Sequence, residues 1–215
     1  MLSDRELDAL EHAASSIPLS SFEFVADDYV LALFDTVLDY QNQAAAIQKA
    51  EEHYREQHDR EIRTLDDLEA VLGRFPEDRE GNDELAQYLW GNHHWRRAQE
   101  LRGLVRYFRE RNVNTLRRLR TWATTSQQED FVGHIKGLGP AVYRSLAMRM
   151  GVDTVKPDVH VLRFVSTAIG RNATQAEAVE GLTEAATRLG VPARDLDWSV
   201  LGYQKSRVAS EGSRP

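Results

Sequence analysis

The 215-residue sequence contains no cysteine. A chain without thiols forms no disulfide, builds no thiolate zinc site and holds no cysteine-ligated iron–sulfur cluster. Its seven histidines include no HExxH pair, and the adjacent His93 and His94 would diverge by about 100° on a helix, too far to share an ion. The sequence therefore predicts a protein without a metal site or an iron–sulfur cluster.

Long apolar segments are also missing. No stretch approaches the roughly 20 residues that a membrane helix needs, and the chain is 41% hydrophobic and 28% charged, as ordinary globular domains are. The first residues, Met-Leu-Ser-Asp-Arg-Glu, do not resemble the basic and then apolar start of a secretory signal. These features predict a soluble cytoplasmic protein with no membrane partner.

Alternating runs of β-branched residues, which mark strands, are scarce, whereas apolar residues recur three or four positions apart. The pattern predicts an all-α fold. Residues 152–157 should be extended, because Pro157 disfavours a helical residue before it. Helices are expected over residues 27–56, 64–72 and 83–111, from 116, and over 128–135, 140–150, 158–170 and 174–189, with a frayed tail at 210–215.

The distribution of charge is uneven. A formal net charge of −7 argues against a nucleic-acid partner, because affinity for phosphates comes largely from Lys and Arg. Residues 1–92 carry 7 basic and 22 acidic side chains, however, whereas residues 93–171 carry 15 and 6, a net charge of +9. Such a basic segment predicts a face for an anionic ligand, although a solvated helix surface explains it equally well.

Residues 136–140, Lys-Gly-Leu-Gly-Pro, predict a very tight turn between two helices. Glycines at 137 and 139 permit backbone angles, or a close approach to a ligand, that side chains would block, and Pro140 suits the first position of a helix. The N–H groups at the start of that helix, together with Lys136, would bind a phosphate oxygen. An ordinary connection between two helices is the alternative.

About twenty residues later, the sequence Val-Lys-Pro-Asp-Val-His places Asp158 at the expected start of a helix. An Asp in this position is a good helix N-cap, which explains the residue without any catalytic role. His160 is expected to be a structural hydrogen-bonding residue rather than an acid or a base.

Taken together, the glycine turn and the aspartate make this sequence resemble the HhH-GPD (helix-hairpin-helix) superfamily of DNA glycosylases, over residues 20–205 and most closely over 131–165. The resemblance implies that Asp158 is the catalytic carboxylate. It also implies that Gln41 fills the space of an extruded base, for which a plain polar loop residue is the alternative. The hairpin would bind the DNA backbone through Lys136, Gly137, Leu138, Gly139 and Ala141.

The same resemblance implies the architecture. We expect a two-lobed helical fold with a cleft between the lobes, in which residues 28–130 form one lobe and residues 1–27 with 131–209 form the other. The partner would be double-stranded DNA that contains a damaged base, and the protein would be a monomer, located in the cytoplasm or on the nucleoid. No cofactor is expected, although backbone carbonyls of the hairpin could hold a monovalent cation.

Two positions depart from the family pattern. Ala141 stands where bifunctional members carry a lysine nucleophile, so no Schiff base can form there. Tyr143 replaces a usually small residue, which predicts different packing between the helices of the hairpin. The resemblance therefore implies a monofunctional enzyme that hydrolyses the N-glycosidic bond with water, and it favours alkylated or deaminated bases over oxidised ones.

An extruded base needs a flat-walled pocket, and stacking on an aromatic ring contributes about 1–3 kcal/mol per base. Core packing is the alternative explanation for each candidate residue. The candidates for the base pocket are Tyr40, Trp90, Trp95 and Trp198, with Tyr88 beside them.

The sequence leaves two functions open besides that of a glycosylase. One is a catalytically inactive helix-hairpin-helix DNA-binding protein, which Ala141, Tyr143 and the acidic total charge suggest. The other is a helical protein-interaction domain whose acidic N-terminal third meets a basic partner.

Overall fold

The computed structural model describes residues 1–38 and 44–211. Within those ranges the chain forms α-helices and one short 3₁₀ helix, without a β-strand, which confirms the predicted all-α class. Contacts divide the chain into two compact units. Unit 1 comprises Met1–Val25 and the chain from Gly151 onward, and unit 2 comprises Ala26–Met150.

The helices follow one another with short connections. In chain order they are α1 (Asp4–Ser15), α2 (Tyr29–Leu38), α3 (Ala44–Gln57), α4 (Leu65–Leu72), α5 (Arg79–Trp90), α6 (Trp95–Glu110), α7 (Leu116–Thr125), α8 (Pro140–Arg149), α9 (Val159–Ile169), α10 (Gln175–Leu189) and α11 (Ala193–Glu211), with the 3₁₀ helix at Gln128–Asp130 between α7 and α8.

Unit 2 is built around α2, in which every residue is buried. A helix with no polar face is stable only inside a core, and α2 packs against α3, α4, α6 and α8. Arg149 of α8 forms an ion pair with Asp35 of α2, with a nitrogen–oxygen distance of 2.8 Å. The helix that follows the glycine turn is therefore fixed to the centre of unit 2.

A buried arginine joins three further helices of unit 2. The Arg102 guanidinium on α6 donates to Asn82 Oδ1 on α5 and to the carbonyl oxygens of Leu72, Phe75 and Pro76, over 2.8–3.1 Å. These carbonyls lie at and just beyond the C-terminal end of α4, where the helix dipole favours a positive charge. Arg102 thus holds α4 and α5 against α6.

Unit 1 packs α1, α9, α10 and α11 around one apolar core that includes Leu10, Val165, Leu182 and Leu196. Helix α1 was not predicted from the sequence, although Ser3 and Glu6 have capping-box spacing at its start and the Ser3 N–H donates to Glu6 Oε2 at 2.8 Å. Those two residues were the signal that could have located this helix.

Several predicted boundaries change. Gly91 adopts a left-handed conformation (φ 64°) and ends α5, so the predicted segment 83–111 consists of two helices. The predicted segment 27–56 also contains two helices, α2 and α3, and residues 39–43 between them lie outside the described residues. The predicted frayed tail, 210–215, overlaps the end of α11 at residues 210–211, and its other residues lie outside the described ones.

The two units differ from the predicted lobes by two residues at the first boundary, 26–27, and by one longer segment. Residues 131–150, which the sequence analysis grouped with the chain termini, lie in unit 2. Phe131 and Tyr143 from this segment pack against Trp122 of α7, with ring centroids 5.8 and 5.9 Å away. These aromatic contacts give the segment its place in unit 2.

Candidate functional site

Asp158 is the N-cap of α9, where the sequence analysis placed the start of a helix. Its Oδ1 accepts hydrogen bonds from the backbone N–H groups of His160 at 2.8 Å and Val161 at 3.1 Å. Both capping bonds use the same oxygen, and Asp158 Oδ2 has no hydrogen-bond partner among the described residues. One oxygen of this half-buried carboxylate is therefore structural, and the other is free to meet a ligand.

His160 was expected to be a structural hydrogen-bonding residue, but its Nδ1 atom makes no hydrogen bond with the described residues. That atom is buried. A buried nitrogen without a partner is unusual, because the lost hydration costs about 1–3 kcal/mol.

The segment before Asp158 is extended, as Pro157 predicted, and hydrogen bonds at two points hold it in place. The Lys156 N–H donates to Asp197 Oδ1 on α11 at 2.9 Å. The Arg194 N–H, at the start of α11, donates to Asp153 Oδ1 at 3.0 Å. The position of Asp158 is thus set by α11 as well as by α9.

Asp197 is a residue that the sequence analysis missed. It is 6% exposed, and burial, with a smaller contribution from the charge of Asp158, raises its pKa to about 7 against the hydrogen bond from Lys156. A carboxyl group with such a pKa changes its charge near neutral pH. Its neighbours in the sequence, Leu196 and Trp198, hint at burial, but its contact with Lys156 depends on the tertiary fold.

Residues 128–135 do not form the predicted first helix of the hairpin. The chain makes the short 3₁₀ helix Gln128–Asp130 and then a series of turns. Gly133 has a φ of +92°, which a regular α-helix does not accommodate. The second helix, α8, begins at Pro140 as predicted, so the hairpin contains one regular α-helix.

The two glycines of the turn have different roles. Gly137 has a φ of +98°, and a Cβ atom there would lie 2.3 Å from Glu100 Oε1. Gly139 has an ordinary extended backbone (φ −102°), and a Cβ atom there would meet nothing within 4 Å. The backbone thus requires glycine only at 137, and the open space beside Gly139 borders the start of α8.

The start of α8 has the donors that an anion needs. The N–H groups of Gly139 and Ala141 donate to no acceptor within the described part of the chain, and the Lys136 side chain is exposed. The side chain of Leu138 is 2% exposed and belongs to the core. Only the backbone of Leu138 can contact a ligand.

An ion pair lies beside the turn. Glu100, whose Oε1 is next to Gly137, pairs with Arg97 at 2.8 Å, and both side chains are about 12–13% exposed. The arginine offsets the charge of a carboxylate that would otherwise repel a phosphate.

Tyr143 explains how the hairpin packs without the small residue that the resemblance implies. Its hydroxyl donates to the Ser126 carbonyl at 2.7 Å, and its ring contacts those of Trp122 and Phe131 at centroid distances of 5.9 Å. The large side chain therefore attaches α8 to the end of α7.

The two tryptophan candidates of unit 2 differ in the ring surface they leave open. Trp90 is 2% exposed and packs edge-on against Phe34, so it is a core residue and has no free face for a base. Trp95 is half-buried, with the guanidinium carbons of Arg79 and Arg96 at 5.4 and 5.3 Å from its ring.

The other described candidates, Trp198 and Tyr88, have aromatic contacts within their own units. Trp198 belongs to unit 1, where it contacts Phe22 and Phe24 at centroid distances of 5.9 and 4.9 Å. Tyr40 and the predicted wedge Gln41 lie outside the described residues. Tyr88 donates to Glu61 at 2.7 Å and stacks on His58 at 4.1 Å.

Neither a metal cluster nor a membrane span is found in residues 1–38 and 44–211. No three His, Asp or Glu side chains there are close enough to hold a metal ion, and the sequence has no cysteine to hold an iron–sulfur cluster. None of the helices in these ranges is long and apolar enough to cross a bilayer.

Comparison with known families finds one match that covers most of the chain. A family model described as a domain of unknown function (DUF8548) matches residues 27–205. The chain belongs to the DUF8548 family. The DUF8548 match includes the glycine turn, Asp158 and Asp197, whereas α1 precedes it. No curated protein and no solved structure matches the chain significantly.

The two glycines of the turn give a matched test in this DUF8548 chain. Gly137→Ala should lower the free energy of unfolding by about 1–3 kcal/mol, because alanine is strained at a φ of +98° and its Cβ atom meets Glu100. Gly139→Ala should change it by less than about 0.5 kcal/mol. Urea denaturation followed by circular dichroism measures both, and equal losses would contradict the assigned roles.

Asp197 predicts a pH dependence of stability. Because its folded pKa, about 7, exceeds the value near 3.9 of an unfolded aspartate, its contribution is complete below pH ~4 and is lost as the pH rises through 7. Asp197→Asn retains an acceptor for Lys156 but cannot ionise. The variant should gain stability relative to wild type between pH 4 and 8, by as much as about 4 kcal/mol.

Urea titrations at several pH values measure that difference. Burial also raises the pKa of Glu51 in unit 2 to about 7, but this contribution is common to both proteins and cancels. Ser199→Ala, which removes a buried hydroxyl from α11, should lower stability by a similar amount at every pH. A wild-type minus Asp197→Asn difference that is independent of pH would show that Asp197 ionises normally.

Proposed function

We propose that this protein is a monofunctional DNA glycosylase with an HhH-GPD-like fold, which releases a damaged or mismatched base from duplex DNA. The observation that carries the proposal is the geometry of Asp158. Its Oδ1 is held by two backbone N–H groups, its Oδ2 has no partner among the described residues, and the extended segment before it is fixed by Asp197.

Such a carboxylate suits cleavage of an N-glycosidic bond. As the bond from C1′ to the base nitrogen breaks, positive charge develops on the sugar, and an ionised carboxylate stabilises that charge. Water then forms the new bond to C1′, and the proton it loses ends on the departing base. Asp158 Oδ2 would face the sugar or orient the water, while the two capping bonds keep Oδ1 from turning towards it.

The glycine turn supports DNA as the substrate. The free N–H groups of Gly139 and Ala141, at the positive end of α8, and the exposed Lys136 form a small site for a backbone phosphate. Ala141 offers no amine, so the chain has no nucleophile at this position for lyase chemistry. The reaction would leave an intact strand with an abasic site.

A single-turnover screen of duplexes with alkylated, deaminated, oxidised and mismatched bases tests the proposal. We expect base release from at least one duplex, with strand cleavage only after alkali treatment. Asp158→Asn should slow release by roughly 100-fold or more, because it removes the charge but retains a good N-cap. Asp153→Asn, a change of the same kind in the same connecting segment, keeps an Oδ1 acceptor for the Arg194 N–H and should retain near wild-type activity.

Three outcomes would contradict it. They are a wild type that releases no base from any duplex, full activity of Asp158→Asn, and strand breakage without alkali. Circular dichroism of both variants would show that the loss does not reflect unfolding.

One observation favours a second candidate, a catalytically inactive DNA-binding protein. The two capping bonds account for Asp158 by themselves, without any reaction. In that case Asp158→Asn would leave binding of lesion-containing duplexes unchanged, whereas Lys136→Glu would abolish it. Rapid base release by wild type excludes this candidate.

A further inference from the structure

Unit 2 carries a groove that the sequence analysis did not predict. It has a volume of about 880 Å³ and lies between the loop after α6, the length of α7 and the 3₁₀ helix with the turns that follow. Its cationic lining consists of Arg111, Arg117 and Arg118, and its floor includes Trp122. His134, from the segment that leads into the glycine turn, lines the same groove.

The closest contacts of two arginines in this groove, Arg118 and Arg111, are with neutral groups. Arg118 donates to the Asn112 carbonyl at 2.8 Å and to Asn114 Oδ1 at 3.2 Å. The Arg111 guanidinium lies 3.7 Å from the centre of the Tyr107 ring, and the carboxylate near it, Glu110, is 3.7 Å away and 73% exposed.

Arg117 is exposed, and its side chain contacts no partner within the described ranges. Elsewhere in unit 2, Arg74, Arg106 and Arg109 each form close ion pairs with carboxylates. Among the described residues, the three arginines of the groove thus form no ion pair closer than 3.7 Å, and they outnumber the two carboxylates of its lining.

The sequence of this region has the same bias. Residues 111–127 contain four arginines and no Asp or Glu, in a chain whose net charge is −7. Thr121 and Thr125 also line the wall, but their hydroxyls donate to backbone carbonyls of α7, at 3.2 and 2.9 Å. The arginine forks are therefore the donors that the groove offers to phosphate oxygens of nucleic acids.

We propose that this groove binds the phosphodiester backbone of DNA on one side of the contact made by the glycine turn. The inference rests on the proposed function, because the turn must itself bind DNA for the strand to continue into the groove. Continuity favours DNA over an acidic peptide, since His134 and the 3₁₀ helix connect the groove to residues 136–139 along the chain. A volume of about 880 Å³ also exceeds what one isolated phosphate needs.

Two carboxylates line the same groove and make the proposal sharper. Asp130 caps the 3₁₀ helix, where its Oδ2 accepts a hydrogen bond from the Gln127 N–H at 2.7 Å. Glu129 is exposed and has no partner among the described residues. Glu129 must therefore oppose a bound phosphate, and removing its charge should strengthen binding where removing an arginine weakens it.

The test measures binding of wild type and variants to a 24-base-pair duplex by fluorescence anisotropy, over a range of salt concentrations. Arg117→Ala with Arg118→Ala should weaken binding about 10-fold or more and lower the slope of log affinity against log salt by about 2. Glu129→Gln should tighten binding a few-fold. The control is Arg60→Ala with Arg63→Ala, which removes two exposed charges of unit 2 outside the groove and should have a much smaller effect.

The outcomes separate this proposal from the proposed function. Groove variants that bind DNA as wild type does would overturn the groove, even if the wild type releases bases. A wild type that releases no base, but whose binding responds as predicted, would overturn the glycosylase and keep the groove. If the groove variants lost binding to polyglutamate but bound DNA as wild type does, the groove would instead be a docking surface for acidic peptides.

Discussion

The proposed chemistry depends on the different roles of the two carboxylate oxygens of Asp158. Asp158 Oδ1 is committed to the first turn of α9, and this leaves Oδ2 with a fixed direction and no partner in the described chain. A side chain held by two backbone bonds loses little freedom when it meets a ligand, so its charge is organised in advance. Asp197 also fixes the backbone before Asp158, through its hydrogen bond with the Lys156 N–H. Burial raises the pKa of Asp197 to about 7.

In unit 2, side-chain contacts hold the glycine turn and α8 in place, as a regular first helix would in a helical hairpin. Tyr143 attaches α8 to α7, Arg149 attaches it to α2, and Glu100 lies against Gly137. The turn is thereby held from several sides although residues 131–137 are not helical. Stability at this turn and the ability to bind a phosphate are separate properties, since Gly137 serves the first and Gly139 can serve only the second.

The features that could be predicted from the sequence are those that depend on local chemistry. Helix starts at Pro140 and Asp158, and the extended segment before Pro157, follow from backbone rules that act within a few residues. The prediction of a helix over 128–135 was wrong. The apolar spacing favours a helix there, but Gly133 adopts a left-handed conformation that interrupts it. The burial of Trp90 could not be predicted, because it depends on packing between distant helices, which residue type alone does not reveal.

The same limit explains what was missed. Asp197 becomes notable only when α11 brings it to Lys156, and the arginines of residues 111–118 form a groove only when α7 packs beside the 3₁₀ helix. Counting charges showed that the middle of the chain is basic, but not which arginines are left without a carboxylate partner. Part of the positive charge of this segment is neutralised by ion pairs, such as those of Arg109 with Asp66 and Glu69.

The most direct test of the central claim needs no knowledge of the lesion. It compares the affinity of the protein for two duplexes, one with a cationic pyrrolidine in place of the sugar and one with a neutral tetrahydrofuran. A carboxylate aimed at a positively charged sugar should favour the pyrrolidine by about 10-fold or more, and Asp158→Asn should remove that preference. Equal affinities in wild type, or a preference that survives Asp158→Asn, would contradict the role given to this carboxylate.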